Sequence, residues 1–149
     1  MCDSHHLVSR DLSRLPHSPK RCKRKMPAYD GERFSPPAPT STVSITNPDT
    51  GARVDHVSVL LDTGADISVL PASAVDALAL SFVESVYDVM AYDETIRQCH
   101  AVRAEVVFLR KRFKGQFLVL DQEAGVLGRD VLNHVSLVFD GPKLNWESE

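Results

Sequence analysis

Hydrophobic positions fall into short runs separated by turn residues from about Thr40 onward. Residues 42–46 alternate between apolar and polar side chains, and residues 57–61 are nearly all apolar; both patterns are typical of β-strands. Further strands are predicted at residues 67–70, 82–91, 95–109, 116–120, 135–139 and 143–146. Residues 73–80 have helical spacing behind Pro71, a common start signal. The pattern predicts an all-β barrel or sandwich with one or two short helices.

The first 38 residues lack this periodicity. They contain five prolines and the basic run Lys-Arg-Cys-Lys-Arg-Lys at residues 20–25. Such a composition buries too little apolar surface to offset the entropy lost on ordering. We predict a disordered basic tail over residues 1–38 and a folded domain over residues 39–149.

The formal net charge of −3 averages two unlike parts, in a chain that is 43% hydrophobic and 25% charged, as expected for a globular protein. The tail holds eight Lys/Arg against four Asp/Glu (+4), and the domain holds nine against sixteen (−7). The basic run has two interpretations, a solvated tail or a nucleic-acid contact. The nucleic-acid interpretation is the weaker one, because no aromatic residue lies within the basic run to stack on bases.

The three cysteines, Cys2, Cys22 and Cys99, have no paired spacing, so neither a disulfide framework nor a zinc site is predicted. No apolar run is long enough for a signal peptide or a membrane span. A reducing cytoplasm is therefore the expected compartment. We predict no metal, no cofactor and no membrane partner.

The tetrapeptide Asp-Thr-Gly-Ala occurs twice, at residues 49–52 and 62–65. The first copy follows an Asn-Pro pair between two strand patterns, which predicts a hairpin turn with its carboxylate in water. The second begins with Asp62 at the end of an apolar strand, where a carboxylate is costly to bury unless it is hydrogen-bonded. Thr63 offers a hydroxyl, and Gly64 lets backbone amides turn toward the carboxylate. Asp62 is therefore the predicted catalytic copy.

A second motif lies downstream, Val-Leu-Gly-Arg-Asp-Val-Leu at residues 126–132. This pairing with the Asp62 motif resembles the retropepsins, the retroviral-type aspartic proteases, over roughly residues 40–146. The resemblance implies a single-lobe acid protease barrel that is completed as a homodimer. Aspartic protease chemistry needs two carboxylates, so a chain with one catalytic motif would form its dyad from Asp62 and Asp62 of a second copy.

The activity implied is that of an aspartic endopeptidase acting on protein or peptide substrates. Two adjacent carboxylates share a proton and titrate as a coupled pair. The dyad activates a water that attacks the scissile carbonyl, without a metal or a covalent intermediate. Thr63 would brace the catalytic loop, and Gly64 would permit close backbone approach.

The resemblance also assigns supporting residues around the dyad. Ala65 and Asp66 continue the first motif, and Asp66 is expected to pair with Arg129 of the second. Gly128 precedes that arginine. Asp130 is expected to cap a short helix by accepting its amides.

A flap hairpin is expected over residues 85–104, with its tip at residues 91–95 and Tyr92 closing over the cleft. Unlike many flaps of the family, this one contains no glycine, since none occurs from residue 81 to 114. Two other functions therefore stay open. One is a non-catalytic dimerisation or peptide-binding module, and the other is a nucleic-acid-associated protein that uses the basic tail.

Two further expectations concern surfaces. Because the terminal segments of retropepsins interleave into a shared sheet, the resemblance implies a dimer interface at residues 42–46 and 135–146, with Trp146 as an apolar anchor. The basic run at residues 110–115 is predicted to be a solvated hairpin loop that ends at Gly115. Candidates for lining substrate pockets are Ile67, Val69, Val89 and Ile96.

Overall fold

The structure is a computed structural model that describes residues 26–149. Within that range the chain forms ten strands and two short helices. The strands are β1 (Tyr29–Asp30), β2 (Ala38–Thr46), β3 (Arg53–Leu61), β4 (Val69–Pro71), β5 (Phe82–Met90), β6 (Ile96–Phe108), β7 (Lys111–Leu120), β8 (Gly125–Leu127), β9 (Leu137–Asp140) and β10 (Asn145–Ser148). The helices are α1 (Ala72–Leu78) and α2 (Arg129–Leu132). The predicted all-β class is confirmed.

Eight strands form one sheet in the order β1-β2-β3-β8-β4-β7-β6-β5, and β2 also pairs with β6, which closes the sheet on itself. The short β8 lies between β3 and β4, parallel to β3 and antiparallel to β4. Its register places Leu127 beside Leu61, the last residue of β3. The segment that follows β3 therefore starts next to the end of β8.

The core consists of the inward-facing apolar residues of these strands together with α1, as the alternation of the sequence predicts. Its largest fully buried side chains include Phe108, Ile45, Leu70 and Leu127. Trp146 also belongs to this core: it is 2% exposed, lies against Phe108 and donates from Nε1 to the carbonyl of Thr40 at 2.9 Å. Trp146 is thus unavailable as an anchor between subunits, and that part of the interface prediction is wrong. β2 is likewise paired on both edges, with β3 and β6.

The expected boundary at residue 38 differs from the structure. Tyr29 and Asp30 pair with Pro39 and Ala38 of β2. The amide of Tyr29 also donates to Leu144 O at 2.8 Å, and Trp146 N donates to Pro27 O at 3.0 Å. Residues 27–30 are therefore tied to β2, which follows them closely, and to residues 144–146, which lie far away in sequence. The rest of the predicted tail, residues 1–25, lies outside the described residues.

This boundary can be tested by truncation. A chain that starts at Met26 keeps these contacts, whereas one that starts at Thr40 loses β1, two backbone hydrogen bonds and the packing of Tyr29 on the core. At roughly 1 kcal/mol for each hydrogen bond plus the lost packing, we expect the shorter chain to be about 2–3 kcal/mol less stable. Urea unfolding of both chains would measure this difference. If the two chains were equally stable, the boundary of the folded domain would lie at residue 38, as the sequence predicts.

The basic run was expected to be a loop, and this prediction is wrong. The turn consists of Leu109 and Arg110, both at positive φ, and β7 begins at once at Lys111. Two cations of β7, Arg112 and Lys114, lie 3.5 and 3.4 Å from the carboxylate of Glu105, which is almost fully buried. Pairing with this anion keeps the charged residues in the sheet.

No helix among residues 26–149 is long and apolar enough to cross a membrane.

Candidate active site

Asp62 follows the last residue of β3, where the chain enters a tight loop of residues 62–68, here called the Asp62 loop. Its amide donates to Leu127 O of β8 at 3.0 Å, which ties the loop to the neighbouring strand. The Oδ1 atom accepts a hydrogen bond from Gly64 N at 2.8 Å. The carboxylate is half-buried, and this is the only hydrogen bond that the described residues give it. Its second oxygen therefore remains open to water or a substrate.

The helix α2 holds the Asp62 loop in place through Arg129. Arg129 makes three contacts: its amide donates to Ala65 O at 2.8 Å, its Nη1 donates to Thr63 O at 3.0 Å, and its Nη2 donates to the Asp66 carboxylate. The expected ion pair between Asp66 and Arg129 is therefore present. A guanidinium that bonds backbone and carboxylate together fixes the orientation of the loop.

Gly128 lies at the closest approach between the two motifs. A Cβ atom there would be 2.7 Å from Ala65 O and 3.0 Å from the carbonyl carbon of Ile67. Real Cβ atoms do not come this close to backbone. Glycine is thus required for packing, since its own φ of −96° is open to any residue.

Ser68 joins the two motifs and was not singled out by the sequence. It is fully buried, and its amide and hydroxyl donate to the two carboxylate oxygens of Asp130 at 3.0 and 2.6 Å. The Ser68 Oγ atom also accepts from Gly128 N at 2.9 Å. The signal that could have found it is a small polar residue inside an otherwise apolar strand pattern, because a buried hydroxyl needs a partner.

Asp130 differs from its expected role. The N-cap of α2 is Gly128, and Asp130 lies inside the first turn, where its carboxylate accepts from Val131 N and from Ser68. Asp130 thus accepts one helix amide, as predicted, but the N-cap position itself is occupied by Gly128. Asp130 satisfies a buried serine and so connects α2 to the start of β4.

The first Asp-Thr-Gly copy is a hairpin turn, but its details differ from expectation. Asn47, which is buried, supplies the cap by accepting the amide of Asp49 at 2.9 Å. The Asp49 carboxylate accepts from Ser81 Oγ at 3.2 Å and from Arg103 at 3.3 Å, so it is paired and does not simply point into water. No segment equivalent to α2 holds this loop among residues 26–149. Its geometry is that of a surface turn.

The hairpin of β5 and β6 carries Tyr92 at its tip. Ala91 N donates to Thr95 O at 2.9 Å across a turn in which Glu94 has a positive φ of 62°. Hydrogen bonds from the hydroxyl and amide of Thr95 hold the pKa of Asp93 below its ordinary value. The stability that these two bonds add is present above the ordinary pKa of the Asp93 carboxyl, and it is lost as pH falls through the lowered pKa. Tyr92 is fully exposed and contacts no cleft residue.

One face of this hairpin packs on the strands that flank the Asp62 loop. A second apolar cluster, separate from the barrel core, joins Val69 of β4 and Leu118 of β7 to Cys99 and Ala101 of β6. Half-buried residues complete it: Val83, Tyr87, Val89, Leu120 and Val126. Of the four candidate pocket residues, Val69 and Val89 lie in this cluster, while Ile67 and Ile96 are exposed. The hairpin thus stands beside the loop that carries Asp62.

Comparison with solved structures supports the fold. The chain resembles EIAV protease complexed with the inhibitor HBY-793, with 25% identity over 65% of this chain and 86% of that one, at a TM-score of 0.52. The chain has the retropepsin-like fold. A retropepsin-like aspartic protease from Rickettsia conorii also matches, at 20% identity over 74% of this chain and 92% of that one, with a TM-score of 0.43. No family model and no curated protein matches the sequence.

The first of these neighbours is a protease by name. Among the described residues, no group of three or more His, Cys, Asp or Glu side chains is placed to hold a metal ion. The functional groups that the fold brings together are therefore one open carboxylate, its backbone donors and an arginine that holds the loop.

Proposed function

We propose that the chain is an aspartic endopeptidase whose catalytic dyad is Asp62 together with Asp62 of the partner subunit. The observation that carries this proposal is the Asp62 carboxylate, held by Gly64 N at 2.8 Å with its other oxygen free, on a loop that Arg129 bonds at two carbonyls and a carboxylate. A rigid loop costs little reorganisation when charge develops on the carboxylate.

A single carboxylate cannot act as acid and base in the same step, so a homodimer completes the site. Thr63 and Gly64 are both exposed in the single chain, which leaves the surface around Asp62 open to a second copy. Two Asp62 carboxyls brought together would share one proton, because two adjacent charges repel. One member of the dyad is then ionised and the other protonated.

In the proposed reaction, the ionised carboxylate accepts a proton from a bound water as the water oxygen bonds to the peptide carbonyl carbon. The protonated carboxyl gives its proton to the carbonyl oxygen, which yields a neutral tetrahedral intermediate. The protonated aspartate then gives its proton to the amide nitrogen while the ionised aspartate takes a proton from one hydroxyl of the intermediate. The C–N bond breaks, the products are an amine and a carboxylic acid, and the dyad again holds one proton. Peptide hydrolysis needs no further reactant than water.

The β5–β6 hairpin would serve as the flap over the bound peptide. Its inner face carries Val89 and Tyr87 against Val69 and Val126, which supports an apolar side chain near the cleaved bond. The tip turn is closed by Asp93 and Thr95 in place of glycine. Tyr92, which projects from this tip, is the candidate to close over substrate.

The shared site predicts that activity follows the dimer. Cleavage of an unstructured protein or a peptide library should fall faster than in proportion to enzyme concentration when the chain is diluted below its dimer dissociation constant. Sedimentation over the same concentrations supplies the control. Activity that stays linear in protein through the range where monomers predominate would contradict a dyad shared between two copies.

A further inference from the structure

β5 forms the outer edge of the eight-stranded sheet. It pairs with β6 on one side, and its other side pairs with no strand in the part of the chain that the structure describes. Ala91 N donates to Thr95 O at 2.9 Å, so these two residues are a hydrogen-bonded pair, and such pairs alternate back along the hairpin. The backbone groups of Tyr87 and Val89 therefore point to β6. Those of residues 86, 88 and 90 point to the open edge.

The side chains along this edge alternate between apolar and anionic. Tyr87 and Val89 belong to the face that packs on the second apolar cluster. The opposite face is exposed and carries, in chain order, Glu84, Val86, Asp88 and Met90. Val86 and Met90 are 48% and 68% exposed, and Ile96, opposite Met90 on β6, is 63% exposed. An open edge with apolar side chains this exposed is a template for another strand.

The chain ahead of the described residues contains a complementary sequence. Its alternate positions Val8, Arg10, Leu12 and Arg14 are apolar and cationic in turn. Pro16 follows, and because it has no N–H to donate, it limits an added strand at this point. The charge balance favours the same contact: residues 1–25 hold seven Lys/Arg against two Asp/Glu (+5), and residues 26–149 hold ten against eighteen (−8).

We propose that residues 8–14 add to the open edge of β5 as an antiparallel strand, with Arg10 opposite Asp88. In such strand addition, backbone hydrogen bonds supply affinity and alternate side chains supply specificity. The other pairs in this register are apolar or ionic as well: Val8 with Met90, Leu12 with Val86, and Arg14 with Glu84. A shift by two residues in either direction sets Val8 or Leu12 opposite Asp88 and removes this ion pair, so the register is specified by the side chains.

A parallel strand would keep Arg10 opposite Asp88 but change the pairs on either side. In that direction Arg14 would come to Tyr92, which lies in the turn at the tip of the hairpin. The antiparallel direction instead brings Arg14 to Glu84, which is exposed. The second ion pair therefore favours the antiparallel strand.

The connection between this segment and the folded domain is long enough. From Arg14 to Met26 the chain advances twelve residues, which span up to about 40 Å when extended. A unit the size of residues 26–149 has a radius of gyration of about 14 Å, so the segment reaches around the domain to the hairpin. Such a tether keeps the segment at an effective concentration on the order of 1 mM, which populates even weak pairing. A polar segment that does not fold alone is ordered by a partner surface in this way.

Paired cysteines test both the contact and its direction. The double variants Leu12→Cys/Val86→Cys and Val8→Cys/Met90→Cys place two thiols in hydrogen-bonded pairs, whose Cα atoms are about 5.5 Å apart and suit a disulfide. The matched controls exchange the partners: Leu12→Cys/Met90→Cys and Val8→Cys/Val86→Cys. They use the same four positions and the same tether, but the offset along the strand is roughly 13 Å.

The experiment uses the full chain with Cys2 and Cys22 changed to Ser, while Cys99 stays in place because it is buried. Under mild oxidation we expect the two predicted pairs to form at least about fivefold more disulfide than the two exchanged pairs. The product should be a single chain that runs faster in non-reducing electrophoresis, and a reductant should reverse it.

Each other outcome of the cross-linking contradicts a separate part of the proposal. Preferential linkage of the exchanged pairs would overturn the antiparallel direction, because those are the pairs of a parallel strand. Equal linkage in all four variants would reflect unspecific encounters of the tether, and it would overturn the pairing, as would the absence of linkage. A disulfide between two chains would overturn docking of the segment on its own chain.

Charge reversal tests the ion pair independently. In the Leu12→Cys/Val86→Cys chain, Arg10→Glu should lower the disulfide yield at least about threefold, because two carboxylates would then face each other. Adding Asp88→Lys should restore the yield. An Arg10→Glu chain with full yield, or a loss that Asp88→Lys leaves unchanged, would overturn the register.

These outcomes are independent of the fate of the proposed activity, because disulfide formation needs no catalysis. A chain that cross-links as expected and cleaves no substrate would uphold the β5 pairing and reject the endopeptidase. Cleavage that depends on Asp62, without preferential cross-linking, would uphold the endopeptidase and reject the added strand.

Discussion

The Asp62→Asn variant is expected to lose at least about 10³-fold in turnover of an unstructured protein substrate, because an amide can neither take a proton from water nor share one with a second carboxyl. Asn still offers an oxygen that can accept the amide of Gly64, the bond seen at 2.8 Å. The variant should therefore fold and dimerise normally. Cleavage assays, circular dichroism and sedimentation together would separate lost chemistry from lost structure.

The chain supplies its own control in the first copy of the same tetrapeptide. Asp49→Asn makes an identical change in a turn where the carboxylate meets Ser81 and Arg103 at 3.2 and 3.3 Å. A partly exposed ion pair of this kind contributes about 1 kcal/mol at most, so activity should stay within about twofold of the parent. Equal losses from both substitutions would contradict the assignment of Asp62. Full activity of Asp62→Asn would contradict the proposed mechanism altogether.

The different local structures around Asp62 and Asp49 could be predicted from sequence because they depend on local context. An apolar strand precedes Asp62 and another follows it, and the structure has β3 and β4 in these places. An Asn-Pro pair precedes Asp49, and the structure has a turn there. Hydrophobic periodicity records such local patterns directly.

The contacts that hold the Asp62 loop were harder to predict, because they join residues distant in sequence. The three-residue strand β8 has no alternating pattern of its own and exists only between β3 and β4. Within it, a Cβ at Gly125 would meet Val69 O at 2.6 Å. Ser68 lies outside the features that the sequence singled out, and its bond to Asp130 of the second motif appears only when the two motifs meet.

The errors at the chain ends have the same cause. Proline-rich composition predicted disorder through residue 38, but Tyr29 bonds Leu144 and packs on the core. Trp146 looked like an exposed anchor because tryptophan is common at interfaces. Its indole instead packs against Phe108 and donates a hydrogen bond to the carbonyl of Thr40, both in its own chain.

The contact between the two motifs predicts a large effect from Gly128→Ala. The added methyl would sit 2.7 Å from Ala65 O and 3.1 Å from Ile67 O, both backbone atoms that cannot rotate away. The loop or α2 must shift, which strains the Arg129 and Ser68 bonds at the same point. Overpacking of this kind typically costs about 1–3 kcal/mol, and we expect the upper part of that range together with a marked loss of turnover.

Gly115→Ala is the matched control for that experiment, because a Cβ at Gly115 meets nothing within 4 Å. This glycine lies in β7 opposite Ala104, away from both motifs, so the same substitution should change the free energy of unfolding by no more than about 0.5 kcal/mol. Urea unfolding measures both variants, and cleavage assays show whether the Asp62 loop has moved. If Gly128→Ala were as stable and as active as Gly115→Ala, the close approach of α2 would not be what fixes the position of Asp62. A Gly128→Ala protein that kept its stability and lost only activity would instead mean that the loop yields while the barrel does not.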